Sequence, residues 1–145
     1  MHDFSHTTRP TAELTEWFFD DYLPAWTGAA LRDDPAFIGA YWASPLWVGD
    51  DHGPATLMPD DNAVRQWVAG TFARLRDSGY ARTEVLDRRV VAHTTNGGTV
   101  EVLWSRVRHD GTEIERLAVH FTVMRTQAGI RAVAIQALGT DASTL

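Results

Sequence analysis

The sequence predicts a single α+β domain, residues 1–145, with three N-terminal helices packed on a curved, mostly antiparallel sheet. Three observations carry this. The chain has 145 residues, the length of one domain. Its apolar residues recur at helical spacing before Tyr80 and at strand-like spacing after it. Two hairpin dipeptides, Asn96-Gly97 and Asp110-Gly111, punctuate the second half.

The elements follow in order. Pro10 suits the first turn of a helix, whose face is Leu14, Trp17, Phe18, Tyr22, Ala25, Trp26 and Ala29. Pro24 lies inside that run and should kink it, because it lacks an N–H and its ring meets the carbonyl four residues back. Asp34-Pro35 opens a short second helix to about Ala43, which Ser44-Pro45 stops. Leu46-Trp47-Val48 reads as a short strand, followed by a polar loop from Gly49 to Pro54. Asp60 or Asp61 caps the third helix, whose stripe is Val64, Trp67, Val68, Thr71, Phe72 and Leu75, and Gly79 ends it. Strands are expected over 82–95, 99–109, 113–126 and 130–138, with Gln127-Ala128-Gly129 as the last loop.

Turn chemistry sets register, and register decides which side chains share a face. Two-residue turns at Asn96-Gly97 and Asp110-Gly111 pair Val91 with Val102, Trp104 with Leu117 and Arg106 with Glu115. The last loop pairs Phe121 with Ile135 and Val119 with Ala137. One face then carries Val91, Val102, Trp104, Val119, Phe121 and Ile135, with Asp87, Arg106 and Glu115 as a charged row at one end. Helices should sit on this face. The other face mixes an apolar band (Leu86, Val90, Leu103, Val107, Ala118, Leu138) with a polar row of Glu101, His120 and Gln136. A bare antiparallel sheet face is mostly polar, so this one is expected to pair with a second copy as a homodimer.

Composition narrows function. The formal net charge of −6 argues against nucleic acid, where a basic patch would supply most of the affinity, and equally against an anionic membrane surface. With no cysteine, disulfides, thiolate catalysis and zinc–thiolate sites are excluded. The opening Met1-His2-Asp3-Phe4-Ser5-His6 has neither basic start nor apolar run, so the expected location is cytoplasmic. No histidine–carboxylate cluster has metal-ligand spacing and no glycine-rich phosphate loop occurs, so no metal and no cofactor are expected.

The order of helix, short helix, short strand, acidic loop, third helix and long meander resembles the cone-shaped nuclear transport factor two-like (SnoaL-like) superfamily. The resemblance runs from about Thr11 to Leu138 and includes Arg32-Asp33-Asp34-Pro35-Ala36-Phe37, Asp110-Gly111 and Gln136-Ala137-Leu138. The superfamily holds ketosteroid isomerases, polyketide cyclases, dehydratases and epoxide hydrolases, together with many proteins that catalyse nothing. Comparison with the isomerases puts their base on Asp50, their helix tyrosine near Trp26 with Tyr22 one turn earlier, and their sheet acid on Val119.

Candidate chemistry divides accordingly. Asp50, beside an apolar cavity, would lose solvation and become a base near neutral pH; as part of Gly49-Asp50-Asp51-His52-Gly53 it could equally be an ordinary turn residue. Tyr22 could donate to a ligand oxygen or simply pack in the core. His120, oriented by Glu101, is the alternative acid–base pair if the sheet faces are reversed. Trp26, Trp47, Trp67, Trp104, Val119 and Phe121 are the expected wall for a small apolar or aromatic molecule, with Arg106 available to a ligand carboxylate. The six tryptophans could otherwise fill the core. The working expectation is a cofactor-free isomerase, cyclase, dehydratase or hydrolase, or else a binding or assembly domain of the same fold.

Overall fold

A computed structural model describes residues 4–145, so residues 1–3 of the opening hexapeptide lie outside the described part. The N-terminal half is helical. Helix α1 (Phe4–Thr15) continues through a π-helical stretch, Glu16–Tyr22, into α2 (Leu23–Arg32). Pro10 therefore lies inside α1 rather than in its first turn. The irregularity expected from Pro24 takes the form of that π-helical stretch: Leu23 N donates to Phe18 O, five residues back, just before the proline. Asp33 then turns left-handed, with φ 57°, and ends α2.

The short second helix is a 3₁₀ helix, Pro35–Ala40. Ser44-Pro45 does not stop a helix. It lies within strand β1 (Trp42–Asp50), where the register against its neighbour slips between Trp42 and Trp47. The expected polar loop is the turn of a hairpin between β1 and β2 (Gly53–Met58), a strand exposed up to Leu57 and without alternation. Helix α3 (Asp61–Asp77) is capped by Asp60, whose Oδ1 accepts from Ala63 N at 2.9 Å. Gly79, with φ 82°, follows it.

Strands β3 (Tyr80–Thr94), β4 (Gly97–Arg108), β5 (Glu113–Thr126) and β6 (Gly129–Gly139) form the expected antiparallel meander. The six-stranded sheet runs β2-β1-β6-β5-β4-β3, and β1 lies parallel to β6. Helices cover one face, burying Leu14, Phe18, Tyr22, Val68 and Phe72 against Val100, Val102, Phe121 and Val123.

Two of the three registers agree with the turn-based reading. Trp104 faces Leu117, Arg106 faces Glu115, Phe121 faces Ile135 and Val119 faces Ala137. In each case a register shift near the loop, between Arg106 and Val107 and between Thr122 and Val123, offsets a turn one residue different from the expected one. The β3–β4 register differs. Thr94 pairs with Gly97, so Thr95 and Asn96 make the turn, and Val91 faces Thr99 instead of Val102. The glycines serve the strand, not the turn. A Cβ on Gly97 would lie 2.8 Å from Val123 O, and one on Gly98 would lie 2.1 Å from Val91 O. Val90 and Ala92 consequently pack against the core, and Asp87 pairs with Leu103 on the opposite face. The charged row beneath the helices is Arg106 and Glu115 without Asp87.

The uncovered face also differs from expectation. Leu103 and Val107 are fully buried although they face away from the helices. The segment after β6 lies across this end of the sheet: Thr140 N donates to Arg116 O, Arg116 Nη1 to Ala142 O, and Leu145 N to Asp87 Oδ2. Part of the apolar band is thus covered by the chain itself.

Candidate functional site

Two cavities border the sheet, one on each face. A cavity of about 590 Å³ lies on the uncovered face, and a second, of about 510 Å³, lies beneath the helices. The inner one is walled by Trp26 from α2, Trp42 from β1, Trp104 from β4 and Phe121 from β5. Their faces meet in tilted and edge-on contacts: Trp26–Trp42 at 5.9 Å, Trp26–Phe72 at 4.9 Å and Trp104–Phe121 at 6.1 Å between ring centroids. Trp26, Trp42 and Trp104 belong to the core and border this space at its inner end. Trp67 stands at its edge, 40% exposed, against Trp42 at 5.7 Å. Val119 adds an aliphatic patch.

Polar groups enter at one end. Arg106 is 6% exposed and donates from Nη1 to Glu115 at 3.0 Å. Its guanidinium lies 5.4 Å from the Trp26 ring and 5.5 Å from the Trp104 ring. Arg74, from α3, grips the same carboxylate with both terminal nitrogens, at 2.9 and 3.2 Å. Burial alone would raise the Glu115 carboxyl; the two guanidiniums outweigh it and hold the group below the usual glutamate range. Glu115 is an occupied anion, unsuited to take up a proton near neutral pH. At Tyr22 burial prevails, pushing its hydroxyl far above the ordinary tyrosine range despite the opposing charge of Arg106. Tyr22 remains a hydrogen-bond donor. The nitrogens Trp26 Nε1, Trp104 Nε1 and Arg106 Nε are buried without a partner among the described residues.

Asp50 ends β1 at the cavity rim, with Asp51 and His52 beside it. It is exposed, and its Oδ1 accepts from His52 N at 2.8 Å, which folds the hairpin tip. Trp47 does not wall the inner cavity. Its side chain shares the outer face with Leu57 and Ala134 and is 52% exposed, because β1 alternates and Leu46 and Val48 take the inward positions. The row Glu101–His120–Gln136 is present, and it borders the outer cavity. Glu101 is paired with Arg89 rather than with His120. Phe121 points beneath the helices and His120 away from them, so the faces are not reversed.

Sequence reasoning missed Trp42, Arg74 and Thr71 at this site. For the last two a signal existed: Trp67, Thr71 and Arg74 recur at four and three on α3 and share the cavity wall. Trp42 was hidden by the expectation of a helix running to Ala43. No group of three or more histidine, aspartate or glutamate side chains able to hold a metal ion occurs among the described residues. No helix there is long and apolar enough to cross a membrane.

Residues 12–140 match the family described as NTF2-like protein (DUF6841). The chain belongs to this family. A search of curated proteins finds no match. Solved structures agree on the fold. An NTF2-like protein with a cystatin-like fold from Novosphingobium aromaticivorans is 20% identical, with TM-score 0.65 over 99% of this chain and 94% of that one. A domain of unknown function with a cystatin-like fold from Nostoc punctiforme is 12% identical, with TM-score 0.67 over 91% and 78%. An NTF2-like protein of unknown function from Pseudomonas putida is 11% identical, with TM-score 0.63 over 92% and 88%. At these identities the likeness speaks for the fold alone.

Proposed function

We propose that this NTF2-like protein binds a small, flat, largely apolar molecule in the cavity between its helices and its sheet. The observation that carries the reading is the cavity itself. About 510 Å³ lies open to solvent beneath the helices, bordered at its inner end by Trp26, Trp104 and Phe121. That volume lies within the usual range of small-molecule sites. A neutral aromatic probe, 2-naphthamide, tests it by ¹H–¹⁵N correlation spectroscopy. Saturable shifts of the Trp26 and Trp104 indole N–H signals are expected, and they should vanish in Ala137→Phe, which fills the wall opposite. Unmoved indole signals up to the solubility limit of the probe would sink the reading.

A catalytic version is favoured by one arrangement: Asp50 borders the same cavity whose interior holds the protonated Tyr22 hydroxyl. A base at the rim and a donor inside suit cofactor-free proton transfer, as in isomerisation, cyclisation, dehydration or addition of water. Exchange of the acidic C1 protons of 2-tetralone in D₂O measures it. Catalysed exchange should fall about 10²-fold or more in Asp50→Asn. Unchanged exchange in that variant leaves a binding protein.

The outer face favours self-association. Trp47, Leu57, Met124 and Leu138 are each about half exposed on it. Sedimentation velocity on the wild type and on Trp47→Glu tests this; a wild type that stays monomeric at high concentration removes the homodimer.

A further inference from the structure

At its deep end the inner cavity sets two cations against one carboxylate, while Asp50 and Asp51 lie at its mouth. Arg74 and Arg106 are two cations, and they share the single carboxylate of Glu115. One positive charge is left over at that end of the cavity. Arg74 is half exposed and solvated, whereas Arg106 is 6% exposed and its Nε is buried with no acceptor among the described residues. A buried cation is costly unless something compensates it. The aromatic rings of Trp26 and Trp104 beside the guanidinium supply only weak compensation.

The remaining polar groups have one sense. The indole nitrogens of Trp26, Trp42 and Trp104 can only donate, and those of Trp26 and Trp104 lack acceptors among the described residues. Tyr22, kept protonated, also has a proton to give. The carboxylate at the deep end, Glu115, is committed to its two arginines. A ligand here must therefore bring acceptor atoms, and preferably a negative charge. Asp50 and Asp51 border the same space, but they are exposed at the hairpin tip, where water screens them. They disfavour an anion at the mouth and so orient it inward.

We propose that the ligand is an aromatic or otherwise flat monocarboxylate, with its carboxylate at Arg106 and its apolar body among Trp26, Trp104 and Phe121. The assignment rests on the cavity being the binding site. It extends that reading from shape to charge. A guanidinium already holding one carboxylate through Nη1 keeps donors for a second, and charge-assisted hydrogen bonds to carboxylate are about twice as strong as neutral ones. A phosphate monoester, with its second negative charge, exceeds the single unbalanced cation.

The test compares two probes of nearly equal size on the intact wild-type chain, 2-naphthoate and its neutral counterpart 2-naphthamide. Affinities come from the indole N–H shifts at low salt and pH 7. The carboxylate should bind at least about tenfold more tightly than the amide. In Arg106→Gln the preference should collapse to within about twofold while the amide still binds. Should that variant not fold, Arg106→Lys serves, since a point charge retains attraction but loses the planar fork, and an intermediate preference is expected. If both probes bind equally to the wild type, the carboxylate assignment is wrong and the cavity reading stands. If neither shifts the indole signals, the cavity reading falls with it.

Discussion

The Glu115 carboxylate joins three elements, and its replacement by glutamine is the most informative stability experiment. Glutamine keeps the shape and removes the charge. Arg106, nearly buried, then has no anionic partner, and Arg74 loses its bidentate one. Removing one member of a fully buried ion pair costs about 3–5 kcal/mol. The Glu115 side chain is 21% exposed and Arg74 is half exposed, so the Arg74 arm adds little. The loss for Glu115→Gln should be about 2–3 kcal/mol, which for a chain of this length lowers Tm by roughly 6–12 °C. The pH dependence has a definite sign. Folding depresses the Glu115 carboxyl below its ordinary 4.5, so its contribution is fully present at neutral pH. That contribution is lost as pH falls below 4.5 towards the depressed folded value, because the unfolded chain takes up the proton first. Urea unfolding followed by tryptophan fluorescence at pH 7 and pH 4 measures both. A difference under about 0.5 kcal/mol at pH 7, the scale of an ordinary surface substitution, or one that widens on acidification, would refute the shared-carboxylate account.

Three further outcomes follow from the same coordinates. Gly98→Ala places a methyl 2.1 Å from a backbone carbonyl and should cost about 3 kcal/mol or more in urea unfolding, whereas Gly53→Ala, with open space around it, should change stability by less than about 1 kcal/mol. Tyr22→Phe should leave stability within about 1 kcal/mol yet weaken a carbonyl-bearing probe such as 2-tetralone several-fold, a split read by comparing Tm with the indole titration. Leu103→Glu buries a charge beneath the C-terminal segment and should unfold the domain at pH 7, while Leu138→Glu, on the exposed part of the same face, should not; circular dichroism separates them.

Most of the architecture was legible because its signals are local. The period-3.6 stripes on the helices, the Asp60 cap and the alternation along β4, β5 and β6 each involve neighbours in sequence. The misreadings share another cause. Asn96-Gly97-Gly98 looks like a turn in isolation. Gly97 is instead required by the Val123 carbonyl, remote in sequence, and Gly98 by the cross-strand Val91 carbonyl. Strand β2 lacks alternation because it is an exposed edge strand, so nothing local marked it. Trp47 and Trp104 are alike as residues, and strand alternation around Ser44-Pro45, together with pairing to β6, decided that one faces out and the other in.

Composition and periodicity by themselves determined the class of the domain, its helical and stranded halves, and the presence of enough aromatic bulk to wall a pocket. These depend on residue type and spacing, which a sequence displays directly. The tertiary structure alone decided which tryptophans lie beneath the helices, and that Arg74 and Arg106, from different elements, converge on one carboxylate. The reason is physical: side-chain placement between packed elements and charge shared across them are properties of distances between residues remote in sequence, and no local pattern encodes them.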